Sequence, residues 1–342
     1  MNAESNSGQL ENRSGVLDTA ASGPAANSEG GAAGFDPDRT MPNLLRPTVR
    51  RIALPAEANT SPAPDRAEDD LGAVTLITDR GIVHAHNEDA AAAAVVDDAS
   101  GLPLVTVIAV CDGVSSSRNP QAASGTASRT GVDACLAALA GNRSAIQAAE
   151  AGLAAAAEAV CDLAAVDSDA PSCTYVSAIV LADGDGKVAI TVANVGDSRA
   201  YWLAADTAPA GRAEAATPSQ RLTVDDSWAQ ALIDAGAMDE QTAMNDPRAH
   251  TLMRWLGADA GPEPWSPGSV RTFQASGPGV LLLCTDGLWN YLPDPEALAP
   301  IATGKPPLAA ARDLVDYAIA RGGSDNITVA LVPIVPLGSP QS

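Results

Sequence analysis

Lysine is almost missing from this chain. Lys187 and Lys305 are the only two among twenty basic residues, against forty-two acidic ones, and the net charge is −22 over 342 residues. A surface this acidic repels phosphate backbones and anionic lipid, so neither a nucleic-acid nor a membrane partner is expected, whereas divalent cations are attracted. Aromatic residues make up 3 % of the chain and hydrophobic ones 46 %, so any core must be built from Ala, Val, Leu and Ile. The five cysteines are scattered and contain no CxxC, which argues against a disulfide framework or a zinc site and fits a reduced, cytoplasmic setting. No apolar run reaches the roughly 18 residues of a membrane span, and the N-terminus lacks the basic start and apolar stretch of a signal peptide. Also missing are a P-loop, a GxGxxG and a serine-histidine dyad motif. Only three histidines occur, and two of them sit in "HAHNEDA", residues 84–90.

Residues 1–68 are rich in Gly, Ala, Ser, Asn and Pro without apolar periodicity, and are expected to be a disordered tail. The basic stretch Arg46–Arg51 is read as a solvated linker, the alternative being that it docks on the acidic body. A folded domain is expected over 69–335, with a short tail at 336–342. Strands are predicted at LGAVTLITD, at the hairpin AAAAVVDD/LVTVIAVC, at TYVSAIVLA, KVAITVANV and RAYWLA, and at GVLLLCTD and NITVALVPI. The spacing predicts helices over 120–140, 143–165, from Asp226-Ser227 through Ala235, over 238–244 and 250–256, and near 307–321. Strands and helices come in runs, which favours α+β over a doubly wound parallel sheet.

The aspartates fall in a pattern. Asp89 opens a strand, Asp112 and Asp286 each close an apolar strand and precede a glycine, and Asp325 precedes Asn326 and the last strand. One such residue is explained by turn preference. Four are harder to dismiss, because strand ends gather at one rim of a sheet. Hard dications such as Mn²⁺ and Mg²⁺ take carboxylate, carbonyl and water oxygens, and glycine lets a carbonyl come close. Two such ions about 3.5–4 Å apart activate water for attack on phosphorus.

Eight stretches then occur in order: "TDRGIVHAHNEDA", "AVCDGVSSS", "APSCTYVSAIV", "ANVGDSRAYWL", "RLTVDDSWAQALIDAGAMDEQTA", "HTLMRWLG", "LLLCTDGLWNYL" and "GGSDNITVALV". Together they resemble the metal-dependent Ser/Thr protein phosphatases of type 2C (PPM type), in their bacterial form. The resemblance implies a four-layer αββα sandwich: two antiparallel β-sheets flanked by helices, with two Mn²⁺ or Mg²⁺ ions at one end. It implies that Asp89 and Asp112 carry the bridging and first-metal carboxylates, that Gly113 lends its carbonyl, that Asp286 and Asp325 hold the second ion, and that Glu88 contacts a water of the cluster. Asp197 and Arg199 are implied to form a buried structural network, Asn326 to hold the Asp325 loop, and Trp228–Leu256 to be a flap over the site. A weak third ion is implied at Asp169, with Asp167 as the alternative. Phosphorylated proteins, a Ser/Thr kinase among them, are the expected substrates, and a monomer is expected.

The pattern is broken in three places. Where the family usually has an arginine that clamps phosphate, this chain has His84, which cannot form that fork. His84 is left with three roles: one hydrogen bond to phosphate, protonation of the leaving alkoxide (open to His86 too), or holding the turn. Val114 stands where some members have histidine. Asn290 replaces a carboxylate, which would weaken any third site. These departures motivate a second reading, a catalytically weak or inactive member acting as a metal-dependent binding module. A nuclease-like hydrolase is a third, opposed by the charge.

Overall fold

The computed structural model describes residues 47–56, 65–164, 170–182, 187–205, 216–261 and 264–334. In chain order the elements are β1 (Thr48–Leu54), β2 (Arg66–Asp70), β3 (Thr75–Asp79), β4 (Ala90–Asp97), β5 (Pro103–Cys111), α1 (Pro120–Ala140), α2 (Ala145–Cys161), β6 (Ser172–Cys173), β7 (Tyr175–Ala182), β8 (Lys187–Val195), β9 (Arg199–Ala204) and β10 (Gln220–Arg221). There follow α3 (Trp228–Asp234), α4 (Glu240–Met244), β11 (Leu256–Gly257), β12 (Val270–Ser276), β13 (Gly279–Cys284), α5 (Asp286–Trp289), α6 (Pro295–Ala302), α7 (Pro307–Ala320) and β14 (Ile327–Ile334).

Two six-stranded sheets carry the fold, in the orders β1-β4-β5-β7-β8-β12 and β10-β9-β13-β14-β3-β2. All pairings are antiparallel. Side chains alternate across a strand, and here both faces of the inner strands are covered, so the strands read as unbroken apolar runs. In β4, Ala91, Ala93 and Val95 face the second sheet, meeting Leu76, Leu281, Leu283 and Ala330. Ala92, Ala94 and Val96 face the other way, onto α1 and α2 through Ala123, Ala127, Leu136 and Leu153. The second sheet turns Ile77, Leu282 and Leu331 outward onto α6 and α7. The result is the expected α+β sandwich of four layers.

Two expectations need correction. The boundary at residue 69 does not hold, because β1 lies before it and β2 runs across it, and they pair with β4 and β3. The basic stretch is part of this: Arg50 is forked onto Asp97 at 2.7 and 2.9 Å, while Ile52 and Leu54 enter the core between the sheets. Arg50 shares the face of Ile52 and Leu54 and Arg51 lies on the opposite one, so two adjacent charges hid an edge-strand alternation. The helix predicted over 250–256 is also not formed. Leu252 bridges to Ser227, and Leu256–Gly257 pairs with β6, so backbone partners far along the chain override a helical spacing.

Candidate metal centre

Strand register brings the acidic residues together. Ala90 pairs with Cys111, so Asp89 and Asp112 are neighbours one step beyond the β4–β5 ladder. Cys284 pairs with Val329 on one side and Arg199 on the other. Asp286 therefore lies near Asp325, which precedes β14, and near Asp197, which precedes β9. The two sheets are tied at this end by Thr285, whose Oγ1 donates to Asp89 Oδ2 at 2.9 Å. Asn326 ties it further: its Oδ1 accepts from the Glu88 N–H at 2.7 Å, and its Nδ2 donates to the carbonyls of Arg80 and His86 at 2.7 and 3.0 Å. Asn326 thus holds the Arg80–Glu88 loop against its own, where the expectation was a hold on the Asp325 loop. Gly113 donates its N–H to the Glu88 carbonyl at 3.1 Å. A Cβ there would stand 2.7 Å from that oxygen and 2.8 Å from Pro120, so only glycine lets the two loops approach this closely. On the other side Asp112 is fixed by Thr174, whose Oγ1 accepts from the Asp112 N–H at 3.0 Å.

These carboxylates are expensive to bury. Burial pushes Asp89 up to about 8, helped by repulsion from Asp325 and Asp286 and opposed by hydrogen bonds from Thr328 and Thr285. Asp286 is pushed up to about 6 by burial and Asp325, against a 3.1 Å hydrogen bond from Asn290. Asp112 and Asp197 are raised well above the usual carboxylate range, in each case by burial first and then by neighbouring aspartates. Among the described residues, no arginine or lysine pairs with Asp89, Asp112, Asp197 or Asp286. Asp89 Oδ1 and Asp286 Oδ1 are buried without any hydrogen-bond partner. Oxygen donors that repel one another and lack protein partners are what a hard dication site requires, so the residues present fit the implied ions.

The structure brings Asp89, Asp112, Gly113, Asp286, Asp325 and Glu88 to this one end. His84 stands with Nε2 3.2 Å from Asp325 Oδ1, and its loop is pinned by Arg80, which donates to the His84 carbonyl. Glu88 accepts a hydrogen bond from Ser115 Oγ. Asp169 and Asp167 lie outside the described residues. Asp112, Asp286 and Asp325 line a cavity of about 830 Å³.

Two residues of this cavity carry more than the sequence suggests. Asp197 is not paired with Arg199. That guanidinium forks onto Asp225, with Nη2 at 2.6 Å and Nε at 3.0 Å, and stacks over Trp289 at 3.5 Å. The second residue is His250, which no sequence argument placed here. It lies in the segment expected to be a flap, on the same cavity, with its ring 5.6 Å from that of Trp289. Burial and Arg199 hold its pKa below the ordinary histidine value. Among the described residues, Asp197, His250 and Asp286 are the one trio whose ligand atoms all lie within 4.8 Å of one another. The four strand-end aspartates are spread more widely, as two ions rather than one would require. The sequence signals for His250 were its scarcity as a histidine and its place at the head of "HTLMRWLG".

A sandwich of this topology, with an acidic rim at one end of paired sheets, defines a metallophosphatase architecture. The chain belongs to the bacterial PPM-type (protein phosphatase 2C) Ser/Thr phosphatase family. It is 33 % identical over 265 residues to the serine/threonine phosphatase stp of Listeria welshimeri, covering 75 % of this chain and 93 % of that one. The stp of Listeria monocytogenes gives the same identity and coverage. Among solved structures, the PPM Ser-Thr phosphatase MsPP of Mycobacterium smegmatis, in complex with cacodylate, aligns with a TM-score of 0.56 at 27 % identity, over 77 % of this chain and 97 % of that one. Stp1 of Staphylococcus aureus shares the fold at a TM-score of 0.58, with 22 % identity over 76 % of this chain and 94 % of that one. No family model matches the chain.

Proposed function

We propose that this protein hydrolyses phosphoserine and phosphothreonine in proteins with two Mn²⁺ or Mg²⁺ ions held by Asp89, Asp112, Gly113, Asp286 and Asp325. The observation that carries the reading is the set of buried and half-buried, mutually repelling carboxylates, two of them with an unpartnered oxygen, beside an open cavity. A neighbour of the same fold, the catalytic domain of PstP, is described in complex with two manganese ions. When bound, the ions supply activation of the attacking water and neutralisation of phosphoryl charge. The chain's own residues fix the donors. Thr285 orients Asp89, Asn290 orients Asp286, and the Asn326 side chain ties the loop that presents Glu88 to the one that presents Asp325. The 3.2 Å contact of His84 Nε2 with Asp325 Oδ1 adds a fourth role to the three open to His84, orienting Asp325, and favours it over a hydrogen bond to phosphate. Asp169 would hold a weak third ion.

Substrates are phosphoproteins, and we assign a Ser/Thr kinase to this class. No described helix is long and apolar enough to cross a membrane, and we place the protein in the cytoplasm as a monomer, without nucleic-acid or membrane partners. The test is turnover of a phosphothreonine peptide. Activity should need Mn²⁺, vanish in EDTA, and fall to background in Asp112→Ala and Asp286→Ala. A wild-type rate in either variant overturns the assignment. Calorimetric binding of Mn²⁺ without turnover would mark an inactive binding module instead.

A further inference from the structure

We propose that Trp255 and Asp259 form a subsite for one basic side chain of the substrate, arginine above lysine, at a fixed distance from the phosphorylated residue. The inference rests on the phosphoprotein phosphatase reading, whose substrate class it narrows. Both residues line the same cavity as Asp112, Asp286 and Asp325. Backbone bonds fix the path from one to the other. Val114, beside the Asp112-Gly113 turn, donates its N–H to the Ser172 carbonyl at 2.9 Å. Gly113 bridges Cys173, and Cys173 pairs with Leu256, the neighbour of Trp255. Two interstrand steps of about 4.5–5.5 Å each separate Gly113 from Leu256 by roughly 10 Å. An extended peptide covers that distance in about three residues.

The pair is held in a defined geometry. Asp259 Oδ1 accepts from the Trp255 indole N–H at 2.9 Å and from Ser172 Oγ at 3.1 Å, and Ser172 is 2 % exposed. A Cβ on Gly257 would stand 2.6 Å from Ser172 Oγ and 2.8 Å from Asp259 Oδ1, so glycine is what lets the carboxylate reach that hydroxyl. These bonds use the edge of the indole and one carboxylate oxygen, and leave a ring face and Oδ2. Among the described residues, no arginine or lysine pairs with Asp259, and the arginines that stack on rings lie over Trp289, Trp228 and Tyr317, not over Trp255. Arg254, its neighbour in sequence, is committed to Asp226 at 2.7 Å. A ring face beside an anionic oxygen takes a guanidinium both stacked and ion-paired, and an ammonium less well. An acidic side chain would meet Asp259 as a like charge. The net charge of −22 favours a basic residue at any flank, whereas this subsite favours one at a single position.

The test is a positional scan of binding to the full chain loaded with Mn²⁺, read by fluorescence anisotropy. The probes are otherwise neutral peptides with a non-hydrolysable phosphonate in place of phosphothreonine and a single Arg walked along both flanks. Affinity should peak at one position, about two to four residues from the phosphonate. Arg there should bind about 3–10-fold tighter than Arg elsewhere on the same peptide. Trp255→Leu and Asp259→Asn, with folding checked by far-ultraviolet circular dichroism, should each flatten the peak. Asp259→Lys should make Glu the tighter binder at that position. No measurable binding, a flat profile in wild type, a peak that survives in either neutral variant, or Arg still preferred in Asp259→Lys overturns the proposal. Mn²⁺-dependent turnover of the matching phosphothreonine peptide is measured on the same wild-type sample. Its absence would sink the phosphatase reading, while the binding profile alone decides the subsite.

Discussion

A single carboxylate shows what holds and what strains this rim. Asp89 is 1 % exposed and titrates near 8, and Asp286 near 6, whereas an unfolded aspartate titrates at about 3.9. Between those values the native state binds protons that the unfolded state has lost, so the stability of the metal-free protein falls as pH rises from about 4 to 8. A bound dication reverses the sign, because it favours the ionised form. In EDTA the midpoint of thermal unfolding should be higher at about pH 5.5 than at about pH 8.5, and Mn²⁺ should raise it more at the higher value. Equal midpoints in EDTA would mean the carboxylates do not burden the fold. Asp89→Asn sharpens the test. It keeps the shape and removes one repelling charge, so it should flatten the pH slope and stabilise the EDTA-treated protein by roughly 1–3 kcal/mol. Peptide turnover should at the same time drop to background. Asp89, Asp112, Asp286 and Asp325 were legible in the sequence because each flanks an apolar strand in a short motif. Asp197 and His250 were not, because their surroundings depend on which acid Arg199 chooses, and that acid lies 26 residues further on.

Secondary-structure elements were legible where both faces are buried, and less so at the edges. The β4–β5 hairpin, the α1–α2 pair and the final strand follow from unbroken apolar runs and helical spacing. β1 and β12 did not, since an edge strand shows half its residues to water: β1 carries Arg50 and Arg51, and β12 carries Arg271 and Gln274. Yet β1 covers the edge of β4 and buries Ile52 and Leu54, each contributing about 1.5–3 kcal/mol. Deleting residues 1–68, the tail expected from composition, should therefore expose an Ala/Val edge, lower the denaturant midpoint and promote aggregation seen by light scattering. An unchanged midpoint would show that β1 adds nothing. The join between β9 and α5 gives another test. Arg199 is buried between Asp225 and the Trp289 ring. Among the described residues, Arg199→Ala leaves Asp225 with only the Arg221 cation, 3.7 Å away, and should cost about 3–5 kcal/mol in chemical denaturation. Arg199→Lys should recover little of it, lacking the planar fork.

At the scale of the whole molecule the dominant quantity is charge, which was legible from composition because a sum needs no fold. The chain carries −22, and the rim that meets the substrate is itself built of aspartates. Metal ions neutralise that rim locally but not the field around it, which extends over a Debye length of about 8–10 Å near physiological salt. A phosphorylated residue flanked by acidic side chains must approach against this field, and one flanked by Lys or Arg is drawn in. Two phosphothreonine peptides that differ only in their flanks should therefore differ in kcat/KM, the basic one being faster. The difference should lie in KM and the association rate, because flanking charges do not touch the reacting phosphorus. It should also shrink when salt is raised from about 0.02 to 0.5 M, as the screening length falls from roughly 20 to 4 Å. The chemical step, read as kcat at saturation, should change far less. A preference for acidic flanks, or a ratio indifferent to salt, would mean that local pockets rather than the overall field choose the substrate.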